Sequence, residues 1–232
     1  MPKTSYRFIS YLCSITFILF AFLGNVHFWC FYEPFYASEH RTLTLYGKSI
    51  PEHIGISEEE LDDLTHFTLS YLNDKDASLD RQMTIKGQLR EVFTDDEKLH
   101  MIDVRNLNLF ANKLLVVSGV VFVLTLIYLV VKKYPLAELF GIYKKVLLIV
   151  LAIFLLLGAW VFIDFDSFWT NFHHVFFPGN DLWILDLRKD ILIMIVPPTF
   201  FFHLVSRIFF TFIGSLLLGN FLLYMNRRSS NG

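Results

Sequence analysis

Four long apolar blocks set the strongest limit on how this chain can fold. They cover about residues 8–31, 107–131, 146–163 and 201–225 of the 232-residue sequence. A bilayer core of about 30 Å requires roughly 20 apolar residues in a helix, and each block is about that long or longer. Because lipid offers no hydrogen bonds to the backbone, such blocks must cross it as helices. The sequence therefore predicts an all-α, polytopic membrane protein with four transmembrane helices.

The composition supports this prediction and excludes several soluble classes. Hydrophobic residues make up 54% of the chain and aromatic residues 17%, including 26 phenylalanines. Their concentration in blocks rules out a disordered chain and an ordinary soluble globule. Cys13 and Cys30 lie in one predicted helix roughly 25 Å apart, so they cannot bridge each other. No basic stripe is present, which argues against nucleic-acid binding.

Charges beside the four blocks predict the orientation. Basic residues lie before the first block, between the second and third, and after the fourth: Lys3, Arg7, Lys132, Lys133, Lys144, Lys145, Arg227 and Arg228. With an even number of spans these groups share one side, which the positive-inside rule assigns to the cytoplasm. Residues 32–106 and 164–190 carry net charges of −8 and −3. Both termini are therefore predicted to be cytoplasmic, and residues 32–106 and 164–200 to be extracytoplasmic.

The first extracytoplasmic segment, residues 32–106, is long enough to hold structure of its own. Ser57–Glu60 and Thr94–Glu97 both have the pattern of a capping box, and each predicts the start of a helix. The apolar positions within residues 43–50 predict a short extended piece, and residues 73–91 contain several turn formers. The three histidines of this segment, His40, His53 and His66, are predicted to be solvated.

The second extracytoplasmic segment, residues 164–200, begins with an aromatic stripe. Five aromatic residues recur at helical spacing: Phe165, Phe168, Trp169, Phe172 and Phe176. Such a stripe beside a transmembrane helix favours an interfacial helix in the headgroup layer. Pro178-Gly179-Asn180 predicts a turn after it. Residues 191–196 are apolar but too short to span, which predicts a re-entrant or interfacial piece packed on the other helices.

Ionisable side chains gather near the predicted outer ends of the spans. They are His27, His100, Asp103, Lys113, Asp164, Asp166, His173, His174, Asp190, His203 and Arg207. Polar groups at this depth are functional candidates, although Lys and Arg also snorkel to phosphates and Asp also caps helices. The sequence contains no G-x-S-x-G, no HExxH and no histidine pair four residues apart. With these motifs absent, the sequence favours acid–base catalysis by imidazoles, whose pKa lies near neutral pH.

The motifs of this layer resemble those of a known family. They are His100-Met101-x-Asp103-Val104, Phe165-Asp166-x-Phe168, Phe172-His173-x-x-Phe176-Phe177, Asn180-x-x-Trp183-x-Leu185 and Asp190-x-Leu192-Ile193. Together with the four-span layout and the large first loop, they resemble the lipoprotein intramolecular transacylases (Lit) of Gram-positive bacteria. The resemblance covers nearly the whole chain and is most specific over residues 164–198, whereas residues 37–80 match no family pattern.

The resemblance implies an acyltransferase of the bacterial cytoplasmic membrane. That family is expected to move the sn-2 acyl chain of a diacylglyceryl-modified lipoprotein to the α-amino group of its N-terminal Cys, which gives the lyso form. The transfer from oxygen to nitrogen occurs within one substrate molecule, so no cofactor or metal is expected. The implied partners are diacylglyceryl lipoproteins and membrane lipid. The chain is expected to act as a monomer with its site on the extracytoplasmic face.

The resemblance also suggests roles for individual residues. His100 and His173 are the expected acid–base pair, and which of them is the base stays open. Supporting, orienting or oxyanion-binding roles fall to Asp103, Asp164, Asp166, Asn180 and Arg207, and substrate contacts to Met101, Phe172, His174, Phe176 and Trp183. Straight helices would raise both histidines roughly 15–20 Å above the spans. We therefore expect bends near Asn106 and near Asp164.

Two other functions fit parts of the sequence. A non-catalytic lipid- or lipoprotein-binding module would keep the aromatic helix but would not need two apposed histidines. A small transporter is disfavoured because the spans hold few polar residues and show no obvious inverted repeat. The distance between the imidazoles of His100 and His173 separates the enzyme from the binding module.

Overall fold

The fold consists of helices with two small hairpins. The computed structural model describes the backbone of residues 3–229 and the side chains of residues 4–218, 220 and 221. In chain order the elements are α1 (Lys3–Cys30), α2 (Glu33–Thr42), β1 (Thr44–Leu45), β2 (Lys48–Ser49), α3 (Ile50–Ile54), α4 (Glu58–Leu72), β3 (Gln82–Ile85), β4 (Gln88–Glu91), α5 (Asp95–Val131), α6 (Leu136–Ile163), α7 (Phe165–Phe176), α8 (Ile191–Ile195) and α9 (Pro198–Ser229).

The prediction of four helices that are long and apolar enough to span a membrane is confirmed. Helices α1, α5, α6 and α9 each contain an apolar stretch long enough to cross a bilayer. Each helix begins before the apolar block that predicted it. The side chains of Lys3, Arg227 and Arg228, on which part of the orientation prediction rests, lie outside the described residues, as do the side chains at positions 222–225 of the predicted fourth span.

Helix α5 is longer than a bilayer requires. Its 37 residues extend roughly 55 Å, whereas the hydrocarbon core is about 30 Å thick. All its charged residues lie at or before Lys113, and residues 114–131 carry none. We therefore treat residues 114–131 as the membrane-spanning part and residues 95–113 as lying outside it.

The two predicted bends have different outcomes. Helix α5 continues without a break through Asn106, so the bend predicted there is wrong. Helix α6 ends at Ile163, and Asp164 has a non-helical backbone (φ −149°, ψ 82°) before α7 begins. The break near Asp164 is therefore confirmed. The difference arises because the side chain of Asp164 caps the start of a new helix. Asn106 instead lies between residues that favour a helix, and its side chain caps no new helix.

The described residues form two compact units. The membrane unit comprises residues 3–28, 111–163 and 206–229, and the loop unit comprises residues 29–110 and 164–205. The buried core of the membrane unit consists of Ile18, Tyr143, Val146, Leu147, Phe212 and Leu216. Its helices approach closely at Gly158, where an added Cβ would lie 2.5 Å from the ring of Phe209. A small residue at that position therefore permits the close packing typical of membrane helices.

The chain is mostly helical, as predicted, but the loop unit also contains two short β-hairpins that the all-α prediction did not include. Strand β1 pairs antiparallel with β2, and β3 pairs antiparallel with β4. Tyr46–Gly47 and Lys86–Gly87 form their turns, with φ values of 51° and 80° and of 52° and 78°. Positive φ at both central residues is what a type I′ turn requires. The stretch 73–91, which the sequence predicted only as a region of turns, thus contains the second hairpin.

Helix α8 packs in the apolar core of the loop unit and is held at both ends. The backbone N–H of Leu192 donates to Oε1 of Glu97 at 2.7 Å, and Nε2 of His40 donates to the carbonyl oxygen of Ile195 at 3.1 Å. His40 is only 4% exposed. The prediction that His40 is solvated is therefore wrong, because a carbonyl 155 residues away in sequence supplies its hydrogen bond.

Both predicted capping boxes are confirmed. Ser57 Oγ accepts from the N–H of Glu60 at 3.1 Å, and a carboxylate oxygen of Glu60 accepts from the N–H of Ser57 at 2.7 Å. Thr94 and Glu97 repeat this pattern at 3.3 Å and 2.6 Å. Glu60 is exposed, whereas Glu97 is fully buried and also binds Leu192. Glu97 therefore fixes the start of α5 and the start of α8 together.

Replacing Glu97 by alanine should destabilise the protein much more than the same replacement at Glu60. Glu97→Ala leaves the buried N–H of Leu192 without an acceptor, which costs about 1–3 kcal/mol in addition to the lost cap. Glu60→Ala leaves its partner exposed to water. Thermal unfolding of both variants in detergent measures the difference, and equal decreases of the unfolding temperature would contradict the bridging role of Glu97.

Candidate active site

The N-terminal part of α5 carries His100 and Asp103 on adjacent turns. The capping box starts the helix, and residues three apart lie on the same side of it. His100 is 7% exposed, and its Nδ1 is buried with no hydrogen-bond partner among the described residues. Asp103 is half-buried. An imidazole and a carboxylate therefore lie side by side on α5, outside its membrane-spanning part.

Helix α7 carries the second histidine in a defined tautomer. Asp164 caps the helix by accepting from the N–H of Ser167 at 3.0 Å. His173 is 4% exposed, and its Nδ1 lies 2.8 Å from the carbonyl oxygen of Trp169. Because a carbonyl oxygen only accepts, the neutral ring carries its proton on Nδ1. Nε2 therefore holds the lone pair that a general base needs.

Aromatic rings enclose His173. Trp183 stacks on it with 4.6 Å between ring centroids and 27° between planes, and Trp169 meets it edge-on at 4.6 Å. Phe172 and Phe177 lie at 5.5 Å and 5.6 Å. The rings exclude water from the imidazole, and their π faces stabilise a cation. The surroundings therefore favour a neutral His173 at rest and still accommodate the charge that it gains with a proton.

His100 and His173 form a close pair of neutral imidazoles. Their ring centroids are 6.0 Å apart, and Phe177 contacts both rings. Burial, helped by the neighbouring His173 and opposed by Asp103, lowers the pKa of His100 to about 4. Burial also lowers the pKa of His173, although the hydrogen bond to Trp169 opposes the change. Both rings are therefore uncharged at neutral pH.

Asn180 connects the segment after α7 to Asp103. Its Nδ2 donates to Oδ2 of Asp103 at 3.0 Å, and its Oδ1 accepts from the N–H of Leu182 at 3.2 Å. Because only the oxygen of the amide can accept from a backbone N–H, this second bond fixes which end of the amide meets the carboxylate. The structure thus brings together four of the predicted site residues, His100, Asp103, His173 and Asn180.

The other predicted supporting residues have different positions. Asp164 caps α7, and Asp166 is exposed in its first turn. At 1.5 Å per residue they lie roughly 13 Å and 10 Å from His173 along the helix axis. The structure therefore does not bring these carboxylates beside His173. Arg207 belongs to α9 in the membrane unit, where it is exposed.

The predicted substrate-contact residues divide into buried and accessible ones. Met101 is 4% exposed and packs in the core of the loop unit. Phe172 and Phe176 lie in contact at 4.7 Å, and Phe176 is 48% exposed. His174 is exposed and meets the Trp183 ring edge-on at 5.5 Å. Phe176 and His174 are therefore accessible to a ligand, whereas Met101 serves packing.

Sequence reasoning missed two features of the site. One is the carbonyl of Trp169 as the partner of His173, which the four-residue spacing on a helix could have suggested. The other is Phe177, whose contact with both histidines depends on how α7 packs against α5. Among the described residues, no group of three or more His, Cys, Asp or Glu side chains could hold a metal ion.

The chain resembles known proteins in both sequence and fold. The family model described as lipoprotein intramolecular transacylase Lit matches residues 11–201. A structure of the membrane-integral lipoprotein intramolecular transacylase Lit from Bacillus cereus has a TM-score of 0.80 at 21% identity and covers 97% of this chain and 99% of that one. Structures of the Bacillus cereus protein with a histidine replaced by arginine or alanine give TM-scores of 0.74 and 0.76, also at 21% identity, and cover 98% and 99% of this chain and 95% and 97% of theirs. No curated protein matches the sequence.

The burial of neutral His100 predicts a pH-dependent stability. An unfolded histidine has a pKa of about 6.5, whereas the folded-state pKa of His100 is about 4. Below pH 6.5 the unfolded chain binds the proton first, so this contribution to stability is lost as pH falls, by up to about 1.4 kcal/mol per pH unit. Thermal unfolding between pH 7.5 and 5 should therefore show a shallower pH dependence for His100→Gln than for the unchanged protein.

The exposed His66 provides the matched control for this measurement. His66→Gln should keep the pH dependence of the unfolding temperature, because His66 is exposed and its ion pair with Glu33 lies at the surface, where such pairs contribute little. Comparing slopes rather than absolute temperatures removes any constant loss of packing at position 100. Parallel slopes for His100→Gln and the unchanged protein would contradict the buried neutral state.

Proposed function

The chain belongs to the lipoprotein intramolecular transacylase family, and from this premise we propose that it carries out an O-to-N acyl transfer on diacylglyceryl-Cys lipoproteins. The sn-2 acyl chain moves from glycerol to the α-amino group of the substrate's N-terminal Cys, and the product is the lyso-form lipoprotein. The observation that carries this proposal is the pair of buried, neutral imidazoles 6.0 Å apart. Such a pair suits a reaction in which one group gains a proton while another loses one.

His173 is the proposed general base. Its Nδ1–H is held by the carbonyl of Trp169, so the lone pair of Nε2 is available to the substrate. The attacking nitrogen loses two protons on its way from ammonium to amide. The first leaves when the ammonium becomes a free amine, and the second passes to Nε2 after the nitrogen has bonded to the ester carbonyl carbon. The stacked Trp183 then stabilises the imidazolium.

His100 is the proposed general acid. The bond between the carbonyl carbon and the glycerol oxygen breaks, and that oxygen takes one proton to become a hydroxyl group. A protonated His100 is a strong acid because burial lowers its pKa to about 4, so it releases its proton readily to a departing alkoxide. His100 obtains that proton from the substrate ammonium when the free amine forms, and the proton collected by His173 passes to solvent. Over a full cycle one proton is released to solvent, and both histidines return to the neutral form.

Stabilisation of the tetrahedral oxyanion is proposed for two of the donors named from the sequence, His100 and Asn180, which both lie in the loop unit. Asn180 uses one amide N–H on Asp103 and keeps a second N–H for a ligand. One well-aligned donor of this kind contributes about 3–4 kcal/mol to transition-state stabilisation. Trp183, Phe172, Phe176 and His174 are proposed to contact the substrate around the reacting ester.

The proposed setting is the bacterial cytoplasmic membrane. Both termini lie in the cytoplasm on the positive-inside rule, and the loop unit and the site lie on the extracytoplasmic face, where diacylglyceryl lipoproteins are displayed. The amphipathic α7 is proposed to lie in the headgroup layer. The protein is proposed to act as a monomer on a lipoprotein held in the surrounding lipid, without a cofactor.

A non-catalytic lipid- or lipoprotein-binding module is the alternative. It would use the aromatic residues of α7 but would gain nothing from two histidines held at 6.0 Å in a dry site. Burying two imidazoles has a cost in stability when they make few hydrogen bonds, as His100 does. This cost favours the catalytic proposal, because a reaction gives the pair a role that binding does not require.

Mass spectrometry of a reporter lipoprotein tests the proposal. The reporter is co-expressed with the unchanged protein, with His100→Ala or with His173→Ala in a host that lacks N-acylation. The unchanged protein should move one acyl chain from glycerol to the Cys nitrogen, and each variant should lose at least about 100-fold of the transfer rate. His66→Ala is the matched control, because this exposed histidine should leave the transfer unchanged. A reporter that keeps its diacylglyceryl form with the unchanged protein would contradict the proposed activity.

A further inference from the structure

We infer that Asp103 and Asn180 form a subsite for the α-ammonium group of the substrate's N-terminal Cys. This inference rests on the proposed function, because it specifies which part of the lipoprotein the site recognises before any proton moves. It also adds to the role of Asp103, which the sequence suggested only as a group that orients a histidine. Three features of the loop unit carry it: a cavity, an uncompensated charge and a fixed amide.

The cavity lies next to the carboxylate of Asp103 and has a volume of about 280 Å³. Its apolar walls are Leu107, Phe110, Phe176, Phe177 and Pro178, and its polar lining consists of Asp103, Asn106 and Asn180. Ligand pockets usually measure roughly 300–1,000 Å³. This one therefore suits a small group, such as an amine-bearing end, rather than a whole acyl chain. Neither histidine lines the cavity, but its wall residue Phe177 contacts both rings.

Asp103 supplies the only formal charge in the lining of this cavity. Among the described residues, no Lys, Arg or His forms an ion pair with it, while Lys98 and Arg105 of the same helix pair with other carboxylates. His100, one turn away, is neutral at neutral pH because its pKa is about 4. The half-buried carboxylate thus gives the cavity a negative potential with no cation to balance it, and a cationic ligand would remove this imbalance.

The amide of Asn180 fixes the geometry of the subsite. It donates to Oδ2 of Asp103, and its own oxygen is taken by the N–H of Leu182. Oδ1 of Asp103 accepts no hydrogen bond from the described residues and is left for a ligand. An α-amino group has a pKa of about 7.7–8.0, so most substrate molecules arrive as ammonium ions at pH 7. Oδ1 can accept a hydrogen bond from the ammonium group and hold it in the cavity before any proton moves.

An ammonium group could also come from the headgroup of an aminolipid. The apolar walls fit either source, since both carry their ammonium on an apolar body. We assign the subsite to the lipoprotein amine because Phe177, part of the cavity wall, contacts the two histidines, and those are useful only to a group that must lose protons. The test therefore contains arms that separate the two sources.

Binding is measured with full-length protein in phosphatidylglycerol nanodiscs at pH 7, in the His173→Ala background so that the probe is not consumed. The probes are a synthetic diacylglyceryl-Cys pentapeptide with a free amine and its N-acetyl analogue. With Asp103 present, the free amine should bind at least 10-fold more tightly than the analogue. Adding Asp103→Asn should bring this ratio close to one while leaving binding of the N-acetyl analogue unchanged, which also shows that the variant is folded.

Asp181→Asn is the matched control, because Asp181 is an exposed carboxylate next to Asn180 in sequence. It should keep the full preference for the free amine. A ratio near one with Asp103 present, or a ratio that Asp103→Asn does not change, would overturn the inference. So would loss of lipopeptide binding when phosphatidylethanolamine is added to the nanodiscs, since that result assigns the subsite to a lipid headgroup.

The outcome is independent of turnover. If the protein transfers no acyl chain but keeps the amine preference, the proposed function fails and the ammonium subsite stands. If it transfers the acyl chain but shows no preference, the subsite fails and the proposed function stands.

Discussion

Much of the loop unit depends on the hydrogen bonds of the buried Glu97 carboxylate. One of its oxygens completes the cap of α5, and the other holds the N-terminus of α8, which is 95 residues away in sequence. His100 lies three residues after Glu97 on α5, so the contact that fixes the start of this helix also fixes the position of the imidazole. A fully buried acid is costly unless its oxygens are hydrogen-bonded, and here backbone N–H groups at two helix starts meet that need. The hydrogen bonds of Glu97 therefore order this part of the loop unit and also position His100, a candidate catalytic residue.

The aromatic residues around His173 solve a second physical problem. An imidazole that works as a base must be neutral at rest and must tolerate a charge briefly. Exclusion of water lowers its pKa, and the stacked indole of Trp183 partly stabilises the charged form. The hydrogen bond from Nδ1 to the Trp169 carbonyl adds direction, because it leaves only Nε2 to accept a proton. The aromatic stripe of α7, which the sequence predicts to face the membrane, thus also forms the environment of the His173 imidazole.

The features predicted well from sequence are those that local rules determine. Apolar block length gave the four spans, and the Ser/Thr-x-x-Glu pattern gave both capping boxes. The errors concern contacts that sequence neighbours do not reveal. His40 is buried because Ile195 packs next to it, and the two hairpins rest on strands of two to four residues whose signal is only a Tyr-Gly and a Lys-Gly pair. The break expected at Asn106 failed because no neighbouring residue offers the helix an alternative cap. For the site, the resemblance of the motifs suggested which side chains to consider. The tautomer of His173 and its enclosure by aromatic rings are evident only from the three-dimensional structure.

The unbroken course of α5 through Asn106 limits how this chain can vary. Each residue in a helix adds 1.5 Å of rise and about 100° of rotation. A single inserted or deleted residue between Asp103 and Leu114 would therefore turn the imidazole and the carboxylate by more than a quarter turn relative to the apolar side of the same helix. Seven inserted residues would nearly restore the direction but would displace both groups by about 10 Å. Changes of chain length should thus be absent from this stretch among functional relatives, whereas the hairpin turns at Tyr46–Gly47 and Lys86–Gly87 have no such restriction on their reach.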